Sequence, residues 1–112
     1  MPMLTLNTDS IVDFSIFHDV CALRLGFLEF YGRNMDAWID CLTSLDDEDA
    51  GMTSIHVQPP KVLTLHLENA GGFKTRCPDV FTALLECAAF VNYRRVISGE
   101  LAVLALSFDV QG

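Results

Sequence analysis

Positive charge is scarce in this sequence. Seven Lys and Arg stand against fifteen Asp and Glu, a formal net charge of −8 over 112 residues. A nucleic-acid-binding surface needs a basic footprint, so direct contact with RNA or DNA is excluded, and an anionic membrane surface is disfavoured for the same reason. Long apolar runs are also missing. None reaches the roughly 18 residues of a membrane span, and the longest, Leu101 to Leu106, has the length of a buried strand. The four cysteines, Cys21, Cys41, Cys77 and Cys87, form no Cys-x-x-Cys pair and fall well below the density of a disulfide scaffold. The opening MPMLTLNTDS has no basic leader and no apolar stretch behind one, so no secretory signal is expected. The expectation is a cytoplasmic domain with reduced thiols.

Apolar residues, by contrast, are plentiful. A hydrophobic content of 51% and a mean hydropathy of +0.34 are the reverse of a disordered composition. With no repeat, linker or low-complexity stretch, residues 1–112 read as one domain, large enough to hold a core without disulfides or metals. The acidity has two readings at this point. It keeps the protein soluble, or it speeds encounter with a basic protein partner.

Periodicity gives the element order. Met3 to Asn7 alternates weakly, as a short strand does. Ile11, Phe14, Phe17, Val20, Cys21 and Leu25 recur at helical spacing, with Asp9 or Ser10 as the cap and Gly26 as the stop. Phe27 to Gly32 is a loop carrying two aromatics, Phe30 and Tyr31, that look exposed. A second helix spans Asn34 to Leu45, with Met35, Trp38, Ile39, Leu42 and Leu45 on one side and Asp36, Asp40, Thr43 and Ser44 on the other. Asp46 to Pro60 is long for a connection, and such loops are usually functional or mobile. Lys61 to Glu68 alternates as a strand, and Asn69 to Gly72 is a turn cluster. Pro78 opens a largely buried helix that runs from Asp79 to about Arg94. Leu101 to Phe108 reads as a strand covered on both faces. Strand, helix, helix, strand, helix, strand predicts an α/β fold, a small parallel sheet packed by helices.

The sharpest chemical feature is the pair Asp36 and Asp40. Four residues apart, both carboxylates leave one helical face, an arrangement that costs a helix roughly 0.2–0.5 kcal/mol. The macrodipole offsets this for Asp36 in the first turn but not for Asp40. Such a pair suits a cationic pocket, because carboxylates match Arg forks. An ordinary solvated face is the plain alternative. A catalytic or metal role would need a third ligand or a cleft, and neither is apparent. His18, His56 and His66 are scattered without zinc spacing, and His66 falls within a strand, where a half-buried histidine is ordinary. No local base lowers any thiol pKa, so the cysteines read as small hydrophobes. Gly71-Gly72 lacks the rest of a phosphate loop, and Asp46 to Asp49 lacks the spacing of a calcium loop. No cofactor is expected.

The segment FYGRNMDAWIDCLTSL, Phe30 to Leu45, resembles the one that defines the barstar family of intracellular ribonuclease inhibitors. The shared positions are Glu29, Tyr31, Gly32, Asn34, Asp36, Ala37, Asp40, Cys41, Leu42 and Thr43, ten within fifteen and without gaps. The resemblance implies a three-stranded parallel sheet packed by helices. It also implies a mechanism, in which the middle helix and its preceding loop plug the active site of a basic secreted ribonuclease. Asp40 would be the principal phosphate mimic, Asp36 would pair with a second basic group, and Glu86 would contribute from the edge. Phe30, Tyr31, Gly32, Asn34, Thr43 and Ser44 would form the surrounding contact surface, completed by Ile39 and Leu45.

The chain departs from the family pattern at several of these places. Phe30 stands for a tyrosine, Ile39 for a tryptophan and Leu45 for another aromatic, while Arg33 and Phe90 each stand for an acid. The loop Asp46 to Pro60 is longer than the family's connection. These departures imply an inhibitor matched to a different enzyme, such as a nuclease toxin with its own immunity protein. The alternative they leave open is an interaction module that uses the same fold for a partner other than a ribonuclease.

Overall fold

A computed structural model describes residues 2–110. Three strands, β1 (Met3–Asn7), β2 (Leu63–Glu68) and β3 (Leu104–Phe108), form a parallel sheet in the order β1-β2-β3. Four helices accompany it: α1 (Phe14–Leu25), α2 (Met35–Thr43), α3 (Ala70–Arg76) and α4 (Pro78–Ile97). This is the α/β architecture that the element order predicted, with one helix more.

The register explains which face is core. Leu4, Leu65 and Leu106 lie abreast across the strands, followed by Leu6, Leu67 and Phe108, whereas Thr5, His66 and Ser107 lie abreast on the other face. In β2, Leu63, Leu65 and Leu67 are buried and the residues between them only partly so. The His66 and Ser107 side chains satisfy each other at 2.8 Å. The strand β3 is not covered on both faces as its apolar run suggested. It lies at the sheet edge, and of its five residues only Leu104 is buried.

Against the leucine rows packs a core that includes Phe17, Cys21 and Leu25 from α1, Trp38 and Leu42 from α2, and Val80, Leu84 and Val91 from α4. α1 begins later than expected. Asp13 rather than Asp9 or Ser10 caps it, accepting from the Ile16 N–H at 2.9 Å, while Ile11 is buried ahead of the helix. Gly26 ends it with φ +62°, and a Cβ there would meet Ser54 at about 2.5 Å, so both conformation and space require glycine.

The predicted turn at residues 69–72 is instead the start of α3. Two glycines weaken it as a helix, but the fully buried Phe73 anchors it, and Arg76 donates to the Thr8 and Ile11 carbonyls. α4 runs one turn past Arg94, until Gly99 at φ +83°. It is less buried than its composition suggested, since its C-terminal half leaves Phe90, Tyr93, Val96 and Ile97 exposed. Asn92 ties it to the sheet by donating to the Leu104 carbonyl and accepting from the Val103 and Leu104 N–H groups. The segment 46–60 is not a loose loop. Val57 and Thr53 are buried in it, and it bonds to the end of α1 through Ser54 N–H to Leu25 O and to Leu45, just past α2, through Val57 N–H to Leu45 O.

Candidate protein-binding face

The face is built on α2 and the loop before it. Asn34 caps the helix: its Oδ1 accepts from the Ala37 N–H at 2.8 Å, and its Nδ2 donates to the Gly32 carbonyl at 3.3 Å. One side chain thus fixes the helix start and the loop that leads into it. Trp38, Ile39, Cys41 and Leu42 then fall on the core side, and Asp36 and Asp40 fall outward, both exposed. The carboxylate pair is therefore presented as the spacing predicted.

Asp40 is not without a counter-charge. Arg94 of α4 donates to its Oδ1 at 2.8 Å, with the two side chains 39% and 56% exposed. An exposed pair of this kind contributes about 0–1 kcal/mol to stability and is readily exchanged. Cys87, next to Glu86 on α4, also feels the charge of Asp36 on α2. Burial raises the Cys87 thiol first, and the negative charges of Glu86 and Asp36 raise it further. Glu86 itself is exposed. Asp36, Asp40 and Glu86 are thus all exposed, on the two helices α2 and α4 that pack against each other.

The next arginine does a different task. Arg95 is 2% exposed, forks both Asp46 oxygens at 2.9 Å, and donates to the Thr43 and Leu101 carbonyls. Asp46 therefore anchors the end of α2 to α4, and that hydrogen bond holds its carboxyl below the ordinary range. Its charge is spent within the fold rather than presented outward. Asp47 accepts from the Asp49 N–H and caps a short 3-10 turn, Glu48–Ala50.

In the loop before α2 the two aromatics differ. Phe30 is 86% exposed. Tyr31 is only half-exposed, because its ring packs 4.5 Å from Phe27 and its hydroxyl lies 2.6 Å from His18 Nδ1. Burial and then Arg33 lower the His18 pKa, so the buried imidazole stays neutral at neutral pH. Arg33, at φ +55°, clamps the loop onto α1 through Asp19 at 2.6 Å and the Ser15 carbonyl at 3.0 Å. Thr43 and Ser44 are half-buried at the helix end, with the Thr43 hydroxyl donating back to the Ile39 carbonyl.

Two assigned contact residues are core residues instead. Leu45 has no exposed surface and Ile39 almost none, because the segment 46–60 and α4 close over this side of α2. Neither can present a surface to a partner without the fold opening. The cysteines carry no reactive signature: burial pushes Cys21 up to about 12 and Cys41 up to about 11. Among the described residues, no three His, Cys, Asp or Glu side chains converge as a metal-binding group.

The residues that sequence reasoning missed are the cations. Arg94 and Arg95 are adjacent in a chain with seven basic residues, and that conjunction was the available signal. Only the packing of α4 on α2 shows that they face different acids.

The family model described as Barstar (barnase inhibitor) matches residues 1–96. The chain belongs to the barstar family. The match covers the loop, α2, the segment 46–60 and nearly all of α4. Barstar-family proteins are inhibitors rather than enzymes, and the family description implies a ribonuclease partner. No curated protein sequence matches the chain. Among the described residues, no helix is long and apolar enough to cross a membrane.

Proposed function

We propose that this barstar-family chain, as a single domain, binds a basic secreted ribonuclease one to one and occludes its RNA site. The observation that carries the reading is the outward pair Asp36 and Asp40, one turn apart on α2, with Glu86 exposed on the helix α4 that packs against it. Their carboxylates supply negative oxygens where RNA phosphate would otherwise lie, and the enzyme's Arg, Lys or His groups donate to them. Asp40 is the central group, since its bond to Arg94 shows that the position accepts a guanidinium. On binding, the enzyme's cation replaces Arg94. Asn34, Gly32 and Tyr31 hold the loop beside the pair, and the exposed Phe30 ring adds an apolar contact.

A formal charge of −8 accelerates encounter with a basic enzyme. The chain would act in the cytoplasm as the immunity protein or antitoxin of a nuclease toxin, with no cofactor, no membrane and no nucleic acid bound directly. The test is affinity capture at low salt from producing and competing cells, using wild type and Asp40→Ala in parallel and assaying captured material on RNA. Ribonuclease held by wild type and lost by the variant is the expected result. Capture of a protein without nuclease activity would transfer the reading to a general interaction module.

A further inference from the structure

The outer face of α4 carries large apolar side chains that the fold does not use. Phe90, Tyr93, Val96 and Ile97 are 46–64% exposed, and the Phe90 and Tyr93 rings lie 5.9 Å apart. Glu86, Phe90, Tyr93 and Ile97 recur at four, three and four residues, so they form one seam along the helix. Contiguous exposed apolar surface of this kind marks a place where another molecule docks.

The seam borders the acidic face directly. Glu86 precedes Phe90 by one turn, and Arg94, bonded to Asp40, follows it by one turn. Phe90 thus lies one turn from Glu86 on one side and from the Arg94–Asp40 pair on the other, so a protein that covers both meets its ring. Charge decides the occupant. A second copy would bring another net −8 and another set of the same acids against Glu86, whereas a basic protein meets them with opposite charge. Aromatic rings next to a carboxylate suit a guanidinium, which can stack on the ring while donating to the acid.

Resting on the inhibitor reading above, we infer that Phe90 and Tyr93 form a second contact with the same ribonuclease, receiving an arginine from the basic shoulder of its active-site cleft. The acids block the RNA site, and the aromatic pair selects which basic enzyme is bound.

The experiment uses the full chain and a series of purified basic secreted ribonucleases, barnase first. The first enzyme that wild type inhibits becomes the probe for Phe90→Leu, Phe90→Tyr, Tyr93→Ala and Asp40→Ala. Phe90→Leu and Tyr93→Ala are each expected to weaken inhibition about tenfold. Phe90→Tyr should retain it, and thermal unfolding should stay unchanged, because these side chains are exposed. If Asp40→Ala abolishes inhibition while Phe90→Leu and Tyr93→Ala inhibit as wild type does, the second contact is wrong and the inhibitor reading stands. Sedimentation that shows a dimer dissociated by Phe90→Leu, with inhibition untouched, assigns the seam to a second copy and also overturns the inference. If wild type inhibits no enzyme in the series, the inhibitor reading fails and takes this inference with it.

Discussion

Two aspartates six residues apart meet two consecutive arginines, and the pairs have opposite meanings. Asp46 and Arg95 form a bidentate pair whose arginine is buried among carbonyl acceptors. Asp40 and Arg94 share a single bond in solvent. The chemistry is the same and the surroundings differ. A buried fork is costly to break, because its partner is left uncompensated, whereas an exposed single bond exchanges for another cation at little cost. The first pair therefore belongs to the scaffold and the second is available for binding.

The largest test of this contrast is Arg95→Ala. It should destabilise the protein by about 3 kcal/mol, because it strands Asp46 and leaves the Thr43 and Leu101 carbonyls without their donor. Chemical denaturation measures this directly. A loss below about 1 kcal/mol would erase the distinction between the pairs.

Asp40→Ala is the complement. Unfolding free energy should move by no more than about 0.5 kcal/mol, and affinity for an inhibited ribonuclease should fall by more than about 2 kcal/mol, through partner charges left buried and unpaired. A stability loss like that of Arg95→Ala would make Asp40 a structural residue.

Acid titration tests the buried pair in another way. The Asp46 carboxyl is held below its ordinary value by Arg95, so the folded form binds this proton less readily than the unfolded chain does. Its contribution is present above the unfolded value of about 4 and is lost as pH falls through the folded value. Asp46→Asn should flatten that part of the stability–pH curve.

The smallest effect is expected for Arg94→Ala. Stability should hardly change, and binding should tighten a few-fold, because the enzyme no longer displaces an internal cation from Asp40. Weaker binding would mean that Arg94 itself touches the enzyme.

The element order was legible in the sequence because hydrophobic spacing reports directly on which face is buried. So was the outward pair Asp36 and Asp40, which followed from helical geometry once α2 was located. What the sequence concealed depended on contacts between distant segments. α3 was hidden because Gly71-Gly72 has turn composition, and the buried Phe73 overrides it. Leu45 and Ile39 were assigned to the binding surface by position in the family segment, but α4 and the segment 46–60 bury them. Tyr31 was read as exposed because nothing near it in sequence predicts His18 as its partner. Arg94 and Arg95 differ by one residue, and that step of about 100° turns one to solvent and the other inward.

The most direct measurement is a titration of ribonuclease activity, at low salt, with wild type, Asp40→Ala and a destabilised Asp46→Asn. The account predicts stoichiometric inhibition by wild type and by the folded fraction of Asp46→Asn, with inhibition by Asp40→Ala weakened at least about thirtyfold. Equal inhibition by Asp40→Ala and wild type would contradict it.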